Sequence, residues 1–325
     1  MEYGVWLEPA DGKEENMIYL DHAATTPTAP EARAAMEPYY HKRYGNASTP
    51  YEFGQRSRQA VENARTVIAD TLGVQTSEIY FTSGGTESDN WALKSTMEAY
   101  AYKGKHMITT QIEHHAIGNT CEYLRKRGFE VTELPVDREG RISMEQLERA
   151  IRPDTVLLSI MCANNEIGTL QDMETIGGIA QRRGIIFHTD AVQAYGQIPI
   201  NVKKWHVHML SASSHKFYGP KGCGFLYMKQ GLRTESMIHG GAQESGRRAG
   251  TENVPGIVGM AKAAQIAFYH MDETMERETW MRDRMIHHIC SEIPGAFLVG
   301  SLTERLPGNL NICFPGIQAS NLVLL

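Results

Sequence analysis

The sequence predicts an α/β protein in which a mostly parallel sheet is covered by helices on both faces. Two observations support this fold class. Short apolar runs recur between residues 79 and 228, and segments with helical spacing of apolar residues separate most of them. Runs that are apolar at nearly every position are typical of strands buried on both faces. At 325 residues, the chain is also long enough for two domains.

The first predicted element is an amphipathic helix at residues 55–72, where apolar side chains recur at helical spacing and Gly73 provides a C-terminal stop. Seven candidate strands follow, and a helical pattern from Glu87 to Tyr100 comes after the first of them. The strands are expected at residues 79–82, 106–110, 129–134, 155–161, 185–189, 207–211 and 222–228.

The pattern changes near residue 253, where a long helical stretch begins, and a last apolar strand is expected near residues 309–314. We therefore predict an N-terminal extension at 1–17, a large domain at 18–252 and the start of a smaller α+β domain at 253–325.

Composition and charge argue against a nucleic-acid-binding protein and against a membrane-spanning one. The formal net charge is −6, whereas proteins that bind nucleic acid through its phosphates are usually basic. No apolar stretch approaches the ~20 residues of a membrane-spanning helix. Residues 1–17 are acidic and match neither a secretory signal nor a transit peptide, so we expect a cytoplasmic protein.

The cysteines argue against a disulfide framework or a structural zinc site, because they are odd in number, scattered and never in Cys-x-x-Cys spacing. They are Cys121, Cys162, Cys223, Cys290 and Cys313. Each is expected to be a small buried apolar residue.

A glycine pair follows the first predicted strand, at the sheet edge where open α/β sheets bind ligands. Gly84, Gly85 and Thr86 precede a helical segment, and such a turn binds anions through free N–H groups and the helix dipole. The alternative is a tight turn with a capping hydroxyl. The segment is not a P-loop, because no Gly-Lys-Ser/Thr follows.

A carboxylate follows another buried strand. Asp190 comes directly after the strand at 185–189, and Gln193 lies three residues further on. His188 and Asp190 share one face of that strand, which permits either a pair of metal ligands or a packed histidine beside a capping carboxylate. No third and fourth ligand is evident at useful spacing, so we predict no metal.

A lysine follows the strand at 207–211. Lys216 lies beside Ser213 and His215 and before a glycine-rich turn. A lysine in this position is a candidate for a desolvated amine that condenses with aldehydes, although an isolated lysine is more often solvated. An anion-binding turn, a strand-end carboxylate and a lysine together meet the requirements of pyridoxal phosphate, namely its phosphate, ring nitrogen and aldehyde.

These motifs and their order resemble those of the cysteine desulfurases, which are pyridoxal-phosphate enzymes of aminotransferase class V and fold type I. The matching stretches cover nearly the whole chain. They are IYLDHAATTP (18–27), YGNAS (44–48), FTSGGTESDN (81–90), EHHAI (113–117), NNEIG (164–168), HTDAVQ (188–193), SSHKFYGPKG (213–222) and HGGAQESGRRAGTEN (239–253). The resemblance implies an aminotransferase-like homodimer that converts L-cysteine to L-alanine. The sulfur would pass as a protein persulfide to iron–sulfur scaffold or tRNA-thiolation proteins.

The resemblance also implies roles for individual residues. Lys216 would bind the cofactor aldehyde, Asp190 would face the pyridine nitrogen, and His114 would stack on the ring and transfer protons. Gln193 would contact the ring hydroxyl, and Asn165 would lie beside the substrate. The phosphate contacts would be Gly85, Thr86, Ser213 and His215, with Thr251 reaching across to the other subunit. His115 is expected to be a surface residue.

The resemblance ends before two functional elements of the family. Its catalytic cysteine loop follows the segment matched by ASNLVLL (319–325), and its substrate-binding arginine lies further on. Three explanations stay open. The sequence is a piece of a longer chain, which we favour; the protein binds cofactor without turnover, as a scaffold or dimer partner; or Cys162 takes the role of the missing thiol.

Two other enzyme classes stay open as alternatives. Selenocysteine lyase or a related aminotransferase fits equally well, because one fold and one cofactor pocket serve several reactions. A metal-dependent hydrolase built on His188 and Asp190 is the least favoured.

Overall fold

The computed structural model describes residues 18–323, so the predicted N-terminal extension at 1–17 and the apolar end at Leu324 and Leu325 lie outside the described residues. The helices are α1 (Pro30–Met36), α2 (Pro38–His41), α3 (Glu52–Leu72), α4 (Gly85–Ala99), α5 (His115–Lys126), α6 (Met144–Ala150), α7 (Met173–Arg183), α8 (Val254–Tyr269), α9 (Met271–Glu292) and α10 (Ala319–Val323). The strands are β1 (Ile79–Thr82), β2 (His106–Thr110), β3 (Glu130–Leu134), β4 (Thr155–Ser159), β5 (Ile186–Asp190), β6 (Met209–Ser213), β7 (Gly224–Met228), β8 (Phe297–Leu298) and β9 (Ile312–Cys313).

Strands β1 to β7 form one sheet in the order β1-β7-β6-β5-β4-β2-β3. The pairs within β6-β5-β4-β2-β3 are parallel, whereas β7 runs antiparallel to both β1 and β6. This confirms the mostly parallel sheet. Each of the seven predicted strands is present, with boundaries displaced by at most two residues.

Helices cover the two faces of this sheet, as the apolar runs predict. Neighbouring strand residues point to opposite faces, so Ile108 packs into one core with α3, α7 and α8. Met107, the residue before it, packs into the other core with α4 and α5. The runs lack polar alternation because both faces are buried. β3, at the edge of the sheet, is the exception and is partly exposed.

Helix α3 shows how a local signal fixes an element boundary. It begins three residues before the predicted start and ends where predicted, because Gly73 adopts a left-handed φ of +63°. Ala64 and Ile68 on its inner face are buried. None of the described helices is long and apolar enough to cross a membrane.

The C-terminal part contains two helices, α8 and α9, where the sequence predicts one long helical stretch. Val254 and Met260 of α8 belong to the core that also holds α3. The strand predicted at 309–314 is reduced to β9, which pairs with β8 in a small antiparallel sheet. The division of the chain at residue 252 stays a prediction.

Candidate cofactor site

The candidate residues lie at one edge of the sheet. The parallel strands β2, β4, β5 and β6 all end there. Asp190 is the last residue of β5, and the segments after β2, β4 and β6 carry His114, Asn165 and Lys216. The turn after β1 opens onto the same edge, because β1 and β6 are both antiparallel to β7. This is the edge at which ligands bind in open α/β sheets.

The glycine turn after β1 forms an uncapped helix start. Gly84 is the N-cap residue with φ +148°, and no side chain caps α4. The alternative of a capping hydroxyl is therefore wrong, and α4 begins at Gly85, two residues before the predicted start. Its first N–H groups have no intrahelical acceptors, which suits them to an anion.

Close packing explains the glycine at position 85, whereas the φ of +148° explains the glycine at position 84. A Cβ atom on Gly85 would lie 2.5 Å from Cγ2 of Val192, and one on Gly84 would lie 3.5 Å from Oγ of Ser213. The turn therefore lies directly against the ends of β5 and β6. This places Gly85 and Ser213 together, as the phosphate assignment requires.

Lys216 is held among backbone carbonyl groups rather than in solvent. Its Nζ atom donates to the carbonyl oxygens of Ala23 and, at 2.9 Å, of Ala24. Burial lowers the pKa of Lys216, although the charges of Asp190, Asp21 and Glu166 oppose this shift. A larger fraction of the amine is thus uncharged near neutral pH than for an exposed lysine.

Asp190 places a carboxyl group close to this amine. It is 5% exposed, and its Oδ1 atom accepts the N–H of Val192 at 2.9 Å. Burial raises the pKa of Asp190, whereas the Val192 hydrogen bond and the charge of Lys216 act in the opposite direction. The carboxylate is therefore suited to a cationic ring nitrogen, which would supply the counter-charge it lacks.

Gln193 reaches the same carbonyl group as Lys216, because its Nε2 atom donates to the carbonyl oxygen of Ala23 at 2.9 Å. The segment at residues 18–27 is thus a wall of the site. The same segment contacts His215, whose Nδ1 atom lies 3.1 Å from Oγ1 of Thr25. Burial and the charge of Lys216 lower the pKa of His215 to about 4, so its ring is neutral at pH 7.

His114 is the N-cap residue of α5, and its Nδ1 atom accepts the N–H of Ala116 at 3.1 Å. This bond leaves a ring proton on Nε2, which is free to face a ligand. His114 and Thr86 line one open cavity of about 290 Å³. His115 is exposed, which confirms its assignment to the surface.

Two predicted residues stand apart from this cluster. Asn165 is half-buried and donates to Oε1 of Glu166 at 2.7 Å, in a loop whose Glu166 charge acts on Lys216. Thr251 lines a separate cavity of about 230 Å³ whose wall includes Ser83. Asn165 is therefore linked to the site through the charge of its neighbour Glu166, and Thr251 through the cavity wall at Ser83, which precedes the glycine turn.

The histidine–aspartate pair on β5 is a packed pair. His188 is fully buried, with Nδ1 at 2.9 Å from Oγ of Ser159 and Nε2 at 3.0 Å from Oγ of Ser211. Burial lowers the pKa of His188 to about 3, so the ring is neutral. Residues 18–323 contain no group of three or more His, Cys, Asp or Glu side chains that could hold a metal ion.

Two acids near Asp190, of which Asp89 is buried and Glu113 half-buried, were not identified from the sequence. Asp89 is 1% exposed, and its Oδ1 atom lies 3.7 Å from Nε2 of His188. Burial and the charge of Asp190 raise the pKa of Asp89. Glu113 accepts from Oγ1 of Thr110 and from the N–H of Met161. The available signal was position, since Asp89 lies one turn after Gly85 and Glu113 directly precedes His114.

Cys162 is a buried thiol, and burial raises its pKa to about 12, so it is not a nucleophilic thiolate at pH 7. We expect Cys162→Ser to leave cysteine-dependent sulfide release unchanged, at a stability cost of about 1–3 kcal/mol for the buried hydroxyl. Sulfide release and bound cofactor would be measured together, with Cys162→Ala as the apolar control. A large loss of release with the cofactor still bound would show that this thiol takes part in the reaction.

Comparisons with known proteins agree with this geometry. Residues 18–325 match the aminotransferase class-V family. The chain is 51% identical over 312 residues to the cysteine desulfurase IscS of Methanosarcina thermophila, which covers 96% of this chain and 77% of that protein. It is 48% identical over 307 residues to the cysteine desulfurase IscS of Dictyoglomus turgidum, with coverage of 94% and 78%.

Solved structures show the same likeness. A NifS-like protein superposes with a TM-score of 0.91 at 40% identity, over 94% of this chain and 84% of that one. A NifS-like protein from Rickettsia africae has a TM-score of 0.87 at 31% identity, over 95% and 84%. A structure of SspA in complex with cysteine has a TM-score of 0.74 at 42% identity, over 76% and 72%.

Proposed function

Since this chain belongs to the class-V aminotransferases and, among them, to the cysteine desulfurase family, we propose that it removes sulfur from L-cysteine with pyridoxal phosphate as cofactor. One observation carries the proposal. Lys216, Asp190 and the uncapped start of α4 meet at one sheet edge, and each suits a different part of that cofactor.

Different residues of the site would bind different parts of the cofactor. The α4 N-terminus with Gly85, Thr86, Ser213 and His215 would hold the phosphate, and Thr251 would reach the phosphate of a second subunit. Asp190 would pair with the ring nitrogen, Gln193 would contact the ring hydroxyl and His114 would cover the ring. When bound, pyridoxal phosphate supplies an electron sink that stabilises negative charge next to the substrate amino group.

Proton handling would fall to two side chains. Nζ of Lys216 would accept a proton from the substrate when it is uncharged, and burial favours that form by lowering its pKa. His114 carries its ring proton on Nε2, because Nδ1 is occupied by the Ala116 N–H.

Asn165 would orient the substrate carboxylate through its amide group, beside Glu166.

Further proposals rest on the resemblance. We propose a cytoplasmic homodimer that passes sulfur to an iron–sulfur scaffold or a tRNA-thiolation protein. Residues 18–252 would form the cofactor-binding domain and 253–325 the start of the smaller one. Cys121, Cys162 and Cys223 are buried, so we do not assign the persulfide to them.

The visible absorption of the purified protein tests the proposal. We expect added pyridoxal phosphate to give a protein-bound visible band, which L-cysteine shifts and D-cysteine does not, because Asn165 and Lys216 would select one configuration at the substrate carbon. Alanine and sulfide would be quantified in the same samples, with L-selenocysteine as the competing substrate. A protein that stays colourless with added cofactor would contradict the proposal.

A further inference from the structure

An acidic residue occupies the first turn of α4, next to the assigned phosphate contacts. Glu87 directly follows Thr86, and its Oε2 atom accepts the N–H of Ser83 at 2.8 Å. This hydrogen bond ties the helix to the residue before the glycine pair and so fixes the turn between them. The positive end of the helix dipole favours the Glu87 carboxylate. The same carboxylate would repel a phosphate at this helix start, so a phosphate site here requires that its charge be offset.

Arg248 provides that offset from the glycine-rich loop at residues 240–250. Its Nε atom donates to Oε1 of Glu87 at 2.8 Å, and its Nη2 atom donates to Oε2 at 3.1 Å. Two parallel bonds between a guanidinium and a carboxylate fix direction as well as distance. The Glu87 side chain is 10% exposed and the Arg248 side chain 20%, so water and salt screen this pair weakly.

The charges of this pair cancel at neutral pH. Burial raises the pKa of Glu87, but the hydrogen bonds from Arg248 and Ser83 outweigh burial and lower that pKa, so the carboxylate is ionised. The buried acid of the loop, Glu244, already accepts from Arg65 through both carboxylate oxygens. The two arginines therefore serve two different carboxylates, and Arg248 serves the one beside the anion-binding turn.

The pair also joins two segments assigned to phosphate binding. Ser83 and Arg248 line the same cavity of about 230 Å³ as Thr251. We propose that Arg248 is a positioning residue for the phosphate end of the site: it cancels the charge of Glu87, whose carboxylate holds the glycine turn, and so allows that turn to accept a phosphate group. This role rests on the proposed function.

The affinity for the phosphate group tests the role. We expect Arg248→Met to weaken binding of pyridoxal phosphate about tenfold or more, because the buried Glu87 charge is then unpaired beside the phosphate. Binding of pyridoxal, which lacks the phosphate, should change less than about threefold. Equilibrium dialysis of both compounds would give the dissociation constants. Inorganic phosphate should also raise the unfolding midpoint of the cofactor-free wild-type protein more than that of Arg248→Met.

A second substitution distinguishes charge cancellation from a purely structural contact. Adding Glu87→Gln to Arg248→Met removes the unpaired charge, and the amide oxygen of the new side chain still accepts the N–H of Ser83. The double variant should therefore bind pyridoxal phosphate within about threefold of wild type. A purely structural pair predicts a double variant at least as weak as Arg248→Met. Arg248→Lys keeps the positive charge and should also stay within about threefold of wild type.

Arg247→Met is the matched control, since it removes the same charge from the neighbouring residue. Arg247 donates to Oγ1 of Thr234 at 3.1 Å, so its loss should leave both dissociation constants unchanged. Circular dichroism would establish that each variant is folded. If Arg248→Met does not fold, the double variant decides, because charge cancellation alone predicts near wild-type affinity there.

Two results would overturn the role while the proposed function stands. They are equal affinities of wild type and Arg248→Met for pyridoxal phosphate, and a double variant that binds no better than Arg248→Met. A wild-type protein that binds neither pyridoxal phosphate nor inorganic phosphate would contradict the proposed function, and the role with it.

Discussion

Replacing Lys216 by alanine is expected to abolish the covalent attachment of pyridoxal phosphate and to reduce alanine formation from L-cysteine by about 10²–10⁴-fold, as for loss of a positioned acid–base group. The physical reason is the environment of the amine. Partial burial lowers the pKa of Lys216, so its amine reaches the uncharged, nucleophilic form at a lower pH than an exposed lysine does. Absorption spectroscopy and alanine quantification with equal protein amounts would measure both effects.

Two further variants test whether attachment requires the amine of Lys216 or only its positive charge. Lys216→Arg keeps the positive charge but supplies no amine that condenses with an aldehyde, so it should lose attachment as completely as the alanine variant. Lys221→Ala removes an exposed lysine five residues away and should bind the cofactor as wild type does. Covalent attachment in Lys216→Ala would show that another amine holds the cofactor.

The rate of attachment should also depend on pH in a defined direction. Only the uncharged amine reacts, so the rate rises with pH toward the pKa of Lys216. Burial lowers that pKa below 10.5, so the midpoint should lie below that of an exposed lysine. A midpoint at or above 10.5 would mean that the charges of Asp190 and Asp21 outweigh burial.

The strands could be predicted from the sequence because each is a local apolar run. Sheet burial on both faces removes polar alternation, and that signal identifies all seven strands of the large sheet. The reversal of β7 could not be predicted from its residues, since a buried strand has the same composition in either direction. The end of α3 at Gly73 was predictable because a left-handed residue at that position favours glycine.

Some residues of the candidate site could likewise be predicted from local sequence signals, and others could not. Gly85, Asp190 and Lys216 could be found because each lies at the end of a strand or within three residues of it, so chain position implies spatial position. Asp89 was missed because it lies within a helix and meets another element far along the chain, with its Oδ1 atom 3.7 Å from Nε2 of His188 on β5. The capping alternative for Thr86 failed for a local reason, since Gly84 takes the N-cap position and leaves Thr86 inside the helix.

A buried ion pair anchors the glycine-rich loop at residues 240–250. Arg65 of α3 donates to both carboxylate oxygens of Glu244, at 2.7 and 2.9 Å. The N–H of Phe81 also donates to Glu244, and the Arg65 guanidinium lies 4.6 Å from the centre of the Phe81 ring. Glu244 and Ser245 adopt positive φ angles of +46° and +57°, so the ion pair holds a loop backbone that non-glycine residues disfavour.

Glu244→Gln is therefore expected to reduce the free energy of unfolding by about 3–5 kcal/mol, because the buried Arg65 guanidinium then keeps only the half-exposed Glu62 as a counter-charge. Urea unfolding followed by circular dichroism would measure the loss. Glu62→Gln is the matched control. Glu62 also pairs with Arg65, but its side chain is 50% exposed, so its loss should cost less than about 1 kcal/mol. Equal costs for the two variants would contradict the argument.

A double variant would distinguish the net contribution of the Arg65–Glu244 ion pair to the free energy of unfolding from the cost of leaving one buried charge unpaired. Replacing Arg65 and Glu244 together with Met and Leu removes both charges, so no unpaired ion stays buried and much of the stability should return. The N–H of Phe81 would then lose its acceptor, and the loop would lose its anchor next to Thr251. We therefore expect a double variant that is more stable than Glu244→Gln but binds pyridoxal phosphate more weakly than wild type. Wild-type cofactor affinity in that variant would show that the ion pair stabilises the fold without positioning the loop.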